Sequence, residues 1–502
     1  MKRYSDYLDA ITPSEIYEGL LGYGLFSEKL PPVFSSESFY SYCLTMSPDF
    51  IDKWRQHIYY ESMRNTNVPR QLGIPNPMAY QKLCKCISDN WIKMQFYFKQ
   101  KTKEQKHIIS RIHLRKMPDT KSLFKMNYEN WKTDGTPEPD FLIGSRYIVY
   151  ADISTCFPSI YTHSIPWALV GKDIAKTRAG SKYKKEWYNQ IDHYTQCCKN
   201  GETHGVLIGP HASNLIGEII LTCVDSELAG RWKYIRNIDD YTCYVEDREK
   251  AQLFLVELAT ALRKYDLTLN YKKTEIHELP MAMTEQWVRQ VGNPLEYLRK
   301  GVMDYIAIRS YLDNAIEVMQ RNKENSAIIN YAIKAIPKDN LSLNAVDYCV
   351  KLIFHLCLLY PYLLQIMDKY VFVKFHVTVE QIQSFSEKVY KRELSRRNYD
   401  GVCYALFFAL KYDFLIDSVK AQDAIDSDSC LFRLMSFLYF KKNTKKTEIM
   451  RLRKLAKELK SDDDLGQNWL FVYEALTKKD LPDEWKMLKE NNVSFLKNEY
   501  QF

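Results

Sequence analysis

Paired zinc-knuckle cysteines are missing from this sequence. Its twelve cysteines include "CKC" at Cys84 and Cys86 and the adjacent Cys197 and Cys198, none at the spacing of a structural zinc site. They are expected to be reduced thiols of a cytoplasmic protein. The opening "MKRYSDYLDA" lacks the apolar core and small-residue cleavage site of a secretory signal, so export is not expected. Long hydrophobic runs are also lacking: "LIFHLCLLYPYLLQIM", from Leu352, is interrupted by His355 and Pro361 and reads as buried helix rather than a membrane span. A strong charge of either sign is absent. The net charge of +8 over 502 residues admits a nucleic-acid or nucleotide partner without requiring one.

Glycine and proline become scarce beyond Gly301, where only Gly401, Gly466, Pro337, Pro361 and Pro482 remain. Patterns such as "IMRLRKLAKELK" and "WLFVYEALTKK" in that stretch predict an all-helical domain over 300–502. No repeat period emerges from it. The preceding 1–290 is a mixed α and β domain, punctuated by "RQLGIPNP", "KTDGTPEPD" and "GVLIGPH". The length exceeds the roughly 250–300 residues that one core usually serves, and a composition of 46% hydrophobic and 26% charged residues is that of a globular chain.

Within the first domain, Arg146 to Ile153 ("RYIVYADI") predicts a strand ending on Asp152. "SNLIGEIILTCVDSEL" predicts a helix with Ser213 as its cap, and "WKYIRNIDDYTCYV" a strand, polar turn and strand. "FLVELATALRKY" predicts an amphipathic helix through Leu255, Leu258 and Leu262, and "LTLNYKKTEI" a last strand. The order is β, α, ββ, α, β. Two adjacent aspartates in a turn are ordinarily solvated polar residues. Asp152 closing one strand and Asp239 with Asp240 at a hairpin tip nevertheless meet the needs of nucleotidyl transfer if the strands are neighbours. That reaction takes two divalent ions about 3.5 to 4 Å apart, held by hard oxygen ligands.

Four segments occur in order: "ADISTCFPSIY" (Ala151 to Tyr161), "GVLIGPHASNLIGEIIL" (Gly205 to Leu221), "RNIDDY" (Arg236 to Tyr241) and "DLTLNYKKT" (Asp266 to Thr274). Together they resemble palm motifs A, B, C and D of reverse transcriptases. With "FPSIYTHSIPWALVGK", "ETHG" and "PRQLGIPNP", the resemblance narrows to the bacterial abortive-infection reverse transcriptases, including prophage-encoded phage-defence members. It implies an α+β fingers-and-palm polymerase followed by a HEAT-like helical domain. It also implies a Mg2+ cofactor (or Mn2+), dNTP substrates, and DNA made without a template from a protein hydroxyl and left covalently attached. A homo-oligomer, a trimer among the options, is implied as well.

Residue by residue, the resemblance makes Asp152 and Asp239 ligands of both metals and Asp240 the supporting carboxylate. Phe157 falls at the aromatic steric gate that selects deoxynucleotides; core packing is the other reading of that ring. The glutamine usual before the motif B glycine is Ile208 here, followed by Gly209, which puts template-directed synthesis in doubt. Lys273, with Lys272 beside it, is the motif D candidate for the triphosphate, and Arg70, Arg111 and Arg115 are fingers candidates. Arg236 either braces the aspartate turn or binds a backbone phosphate. Tyr23, in "GYG", is the priming candidate ahead of Tyr4, Tyr7 and Tyr17. Two competing readings are a templated RNA-directed DNA polymerase and a helical binding or assembly protein with an idle palm.

Overall fold

A computed structural model of the chain describes residues 4–103, 138–282, 284–298, 301–461 and 463–502. Four antiparallel strands form the sheet that carries the aspartates: β3 (Tyr147–Asp152), β4 (Lys233–Asn237), β5 (Asp240–Val245) and β6 (Glu275–Glu278), in the order β4-β5-β3-β6. Alternation along these strands separates two faces. Val149, Ala151, Tyr234, Tyr241 and Cys243 enter the main core, while Ile148, Ile235 and Tyr244 join Phe141 in a smaller cluster. The helices His211–Leu228 and Arg248–Arg263 pack against each other, and the second lies on β3 and β5. Leu258 and Leu262 are buried as the amphipathic pattern predicts, with Leu255 at the edge.

Two local expectations are corrected. The motif B helix begins at His211, two residues before Ser213, with Pro210 as its N-cap. The His211 amide donates to the Gly24 carbonyl at 2.8 Å, so a segment almost two hundred residues upstream satisfies the helix end in place of a serine cap. "LTLNYKKTEI" is not one strand. Leu269 makes a single bridge to Ile153, Tyr271–Lys273 form a 3-10 turn, and pairing resumes at β6. The break follows from Asn270, whose amide donates to the Asp152 carbonyl at 2.7 Å and draws the chain toward the carboxylate.

A separate hairpin, β1 (Ile58–Met63) with β2 (Pro69–Ile74), stands before the palm. Its outer strand is fastened to the helical region. The buried Asp400 carboxylate, in helix Tyr399–Tyr412, accepts from the Tyr60 hydroxyl and from the Met63 amide at 2.9 Å. That helix is buried on nearly every face, between Val379–Ser395 and Cys430–Lys442. The low glycine and proline content of the tail is matched by a succession of helices, with no strand among the described residues, from Tyr305 onward, and the run from Leu352 lies in the half-buried helix Leu343–Leu359 and the short turns after it. No helix among the described residues is long and apolar enough to cross a membrane. The N-terminal segment docks on the connection between the last two helical elements: Phe34 bridges Leu496, and Phe26 and Phe39 pack on Phe495.

Candidate active site

The aspartate turn is a two-residue loop. Asn237 pairs with Asp240, leaving Ile238 and Asp239 at the tip, and Ile238 adopts a left-handed φ of 57°. A β-branched residue in that region costs about 1–3 kcal/mol, so the loop needs outside support. Arg236 supplies it. Its guanidinium, fully buried, donates to the Ile238 carbonyl at 2.9 Å, to Asp225 at 2.8 and 2.9 Å, and to Glu218 at 2.8 and 3.2 Å. Both carboxylates come from the His211–Leu228 helix, so motif B holds motif C in shape. Of the two roles open to Arg236, bracing is the one found, since a fully buried guanidinium cannot reach a nucleic-acid phosphate.

Strand pairing brings the three aspartates together. Asp152 and Asp240 are partners across β3 and β5, and the Ile153 amide donates to the Asp239 carbonyl at 3.2 Å. One ligand atom from each of the three lies within 4.8 Å of the others. Asp152 is buried, Asp239 half-buried, and Asp240 reaches the surface. Burial of its carboxylate, then repulsion from Asp239 and Asp152 and a hydrogen bond shared with Asp152, pushes the Asp240 pKa up to about 7. Burial, with repulsion from Asp152, also raises that of Asp239, against the pull of Lys273 and Arg70. Crowded carboxylates with so much uncompensated negative charge, all hard oxygen donors, fit a divalent cation of the magnesium type.

Two neighbours orient Asp152. Its Oδ2 accepts from Asn270 Nδ2 at 2.9 Å and from Lys273 Nζ at 3.1 Å. Sequence reasoning gave Asn270 no role; it stood inside the quoted "LNYKK", but nothing local reveals which distant carboxylate an asparagine meets. The Lys273 side chain is mostly exposed, so its ammonium, bonded to the carboxylate, is also open to solvent. Lys273→Ala is expected to raise the KM for dNTP by about 10–150-fold, the worth of a charge-assisted hydrogen bond, as steady-state incorporation measures.

Phe157 sits in the short helix Cys156–Ser159, entered through Thr155 at a left-handed φ of 43°. Its carbonyl accepts from the Val206 amide at 2.9 Å. A Cβ on Gly217 would lie 3.5 Å from the ring, which fixes the half-buried Phe157 against the motif B helix. Gly209, at φ 129°, passes β2 so closely that its Cβ would stand 3.3 Å from the Gly73 carbonyl, and the Gly73 amide donates to the Ile208 carbonyl at 2.9 Å. The Ile208 side chain is half-buried against the core.

Arg70 is exposed on β2, and its charge acts on Asp239. It also acts, with Arg64, on Lys29, whose pKa is lowered by burial and by those two cations. Lys29 and Arg64 are thus cationic neighbours of Arg70 that the motifs did not single out. Arg111 and Arg115 lie outside the described residues. The flexible setting expected for Tyr23 is corrected. Gly22 and Gly24 are both buried, and a Cβ on Gly24 would collide with His211 and the Leu20 carbonyl, so these glycines allow close packing rather than motion. The half-buried Tyr23 hydroxyl has its pKa pushed up to about 12 by burial and by Glu37, to which it is hydrogen-bonded. Tyr17 is buried.

Residues 70–299 match the family model described as reverse transcriptase (RNA-dependent DNA polymerase). This segment is a reverse-transcriptase domain. It makes the protein a nucleotidyltransferase of the RNA-directed DNA polymerase type, a class that uses divalent metals and nucleotide substrates. The three aspartates, Phe157, Gly209 and Lys273 all fall inside the matched segment, with Arg70 at its first residue. No curated protein matches the chain. Among solved structures, apo telomerase from Candida tropicalis is similar over 78% of this chain and 71% of that one, at 12% identity and a TM-score of 0.33. Telomerase from Candida albicans with a TWJ fragment of telomeric RNA covers 72% and 67%, at 8% identity and a TM-score of 0.27.

Proposed function

We propose that this protein is a Mg2+-dependent DNA polymerase of bacterial abortive infection, acting in the cytoplasm as a homo-oligomer and extending a tyrosine hydroxyl of its own chain without a template. The single observation that carries the chemistry is the meeting of Asp152, Asp239 and Asp240 across β3 and β5. Metal bound there would lower the pKa of the attacking hydroxyl and neutralise the triphosphate. Asn270 and Lys273 hold the Asp152 carboxylate in place, Arg236 keeps the turn from relaxing, and Lys273 with Arg70 draws the triphosphate in. Phe157, backed by the motif B helix, excludes a ribose 2′-hydroxyl. Phe157→Ala is expected to reduce the preference for dNTP over rNTP by about 10–200-fold, the range over which small steric differences discriminate; competition assays read it directly.

Untemplated synthesis is supported by Ile208, which offers no side-chain hydrogen bond where templated enzymes carry glutamine. Tyr23 remains the proposed primer. It reaches the metals only after leaving Glu37, whereas Tyr271 is three-quarters exposed and stands between Asn270 and Lys273, both of which touch Asp152. The helical region is read as a HEAT-like stack that governs this activity. The test incubates purified protein with labelled dNTPs and Mg2+ but no nucleic acid, followed by denaturing separation and peptide mapping. Label that stays with the protein, is lost in Asp239→Ala and maps to Tyr23 supports protein-primed, untemplated synthesis from that residue; label on Tyr271 transfers the priming role to that residue. Incorporation only with an added primer and template establishes the templated alternative, which the RNA-dependent description of the matched family favours.

A further inference from the structure

A second group of metal-ligating side chains lies outside the polymerase site. Asp52, in the segment leading into β1, meets His193 and Cys197 of the helix Trp187–Cys197. Four residues apart, His193 and Cys197 project from one face of that helix. His193 Nε2 stands 2.9 Å from Asp52 Oδ1, Cys197 Sγ 3.7 Å from the same oxygen, and Cys197 Sγ 3.6 Å from His193 Nε2. A tetrahedral zinc ion with bonds of about 2.3 Å to sulfur and 2.0–2.1 Å to nitrogen and oxygen sets its sulfur–nitrogen and sulfur–oxygen ligands about 3.5 Å apart and its nitrogen–oxygen ligands about 3.3 Å apart. Two edges of the observed triangle, 3.7 and 3.6 Å, lie within about 0.2 Å of that length. The third is a hydrogen bond that opens by roughly 0.4 Å to admit an ion.

The chemistry of the donors agrees with the spacing. Thiolate and imidazole beside one carboxylate select zinc over the hard cations favoured by three aspartates. One carboxylate and one thiolate neutralise a divalent ion, and the thiol proton leaves to buffer on binding. The Asp52 and His193 side chains are 47% and 45% exposed while Cys197 is buried, so the triangle has an open side for entry and for a water ligand. Nearby cations are already engaged: Arg55 with Glu484 at 2.6 Å, and Lys82 with Asp49 at 3.1 Å. The Arg55 amide, donating to the Cys197 carbonyl at 3.1 Å, fixes the Asp52 segment to the helix independently of any ion.

We propose that Asp52, His193 and Cys197 form a zinc site with water as the fourth ligand, separate from the catalytic aspartates, clasping the segment that feeds β1 to the Trp187–Cys197 helix. Full-length protein stripped by chelator and titrated with Co2+ is expected to develop a near-ultraviolet sulfur-to-cobalt band saturating at one equivalent and bleached by Zn2+. The band should persist in Asp239→Asn, which separates this site from the polymerase metals, and vanish in Cys197→Ser. Because Cys197 is buried, His193→Gln and Asp52→Asn at the exposed positions provide the second measurement. Each should weaken zinc binding by at least the roughly 10–100-fold that loss of an outer-shell partner costs. Absence of the band, its survival in Cys197→Ser, or wild-type zinc affinity in both exposed variants would overturn the site.

Discussion

Asp239→Asn is expected to lower nucleotide incorporation by about a thousandfold or more while leaving the metal-free fold at least as stable as the wild type. The rate follows from metal stabilisation of transition-state charge, worth several kcal/mol at about 1.4 kcal/mol per decade. The stability follows from the sign of the carboxylate shifts. Asp240 has a folded pKa of about 7, above the ordinary value near 3.9, so its ionisation works against folding. In metal-free protein that destabilisation sets in as pH rises past the unfolded value and is complete above about 7. Removing the Asp239 charge relieves part of it, so the variant's Tm at pH 8 should equal or exceed that of the wild type. Added Mg2+ should raise the wild-type Tm and leave the variant nearly unmoved. Lost activity accompanied by a clearly lowered metal-free Tm would instead make Asp239 a structural residue.

Arg236→Met should be the most damaging single change to stability among the site residues, at about 3–5 kcal/mol, because it leaves Asp225 and Glu218 buried without their cation. Burial already raises the Asp225 pKa even with Arg236 in place. Urea titration of Arg236→Met, compared with the triple variant that also carries Asp225→Asn and Glu218→Gln, separates the two contributions. Most of the loss should return in the triple variant. Equal destabilisation of both proteins would place the role of Arg236 in packing and in the Ile238 carbonyl bond rather than in charge compensation.

The polymerase elements were legible where the information is local. Alternation in "RYIVYADI" and "IRNIDDYTCYV" sets strand, turn and strand, and an antiparallel pairing then has few ways to place Asp152 other than beside Asp240. The helical tail was legible because glycine and proline are depleted over two hundred residues. Contacts settled at long range were not. Glycines on both sides of Tyr23 suggested freedom, yet in the fold Gly24 admits the His211 side chain and Gly22 packs on Tyr40, and a glycine letter does not distinguish permissive backbone from close approach. The Ser213 cap failed for the same reason, since the competing acceptor is the Gly24 carbonyl. Cysteine-to-cysteine spacing does not disclose Cys197, which finds a histidine one turn away and an aspartate 145 residues earlier.

The fastening of β1 to Asp400 ties the surroundings of the aspartate site to the helical region. Helix Tyr399–Tyr412 grips Tyr60 and Met63; β2 returns from that grip and holds the Ile208 carbonyl through Gly73; the helix beyond Ile208 backs the Phe157 ring with Gly217. Each link is a rigid strand or helix joined to the next by a hydrogen bond or a tight contact. These contacts join the helical tail to the Phe157 ring through the hairpin and the His211–Leu228 helix.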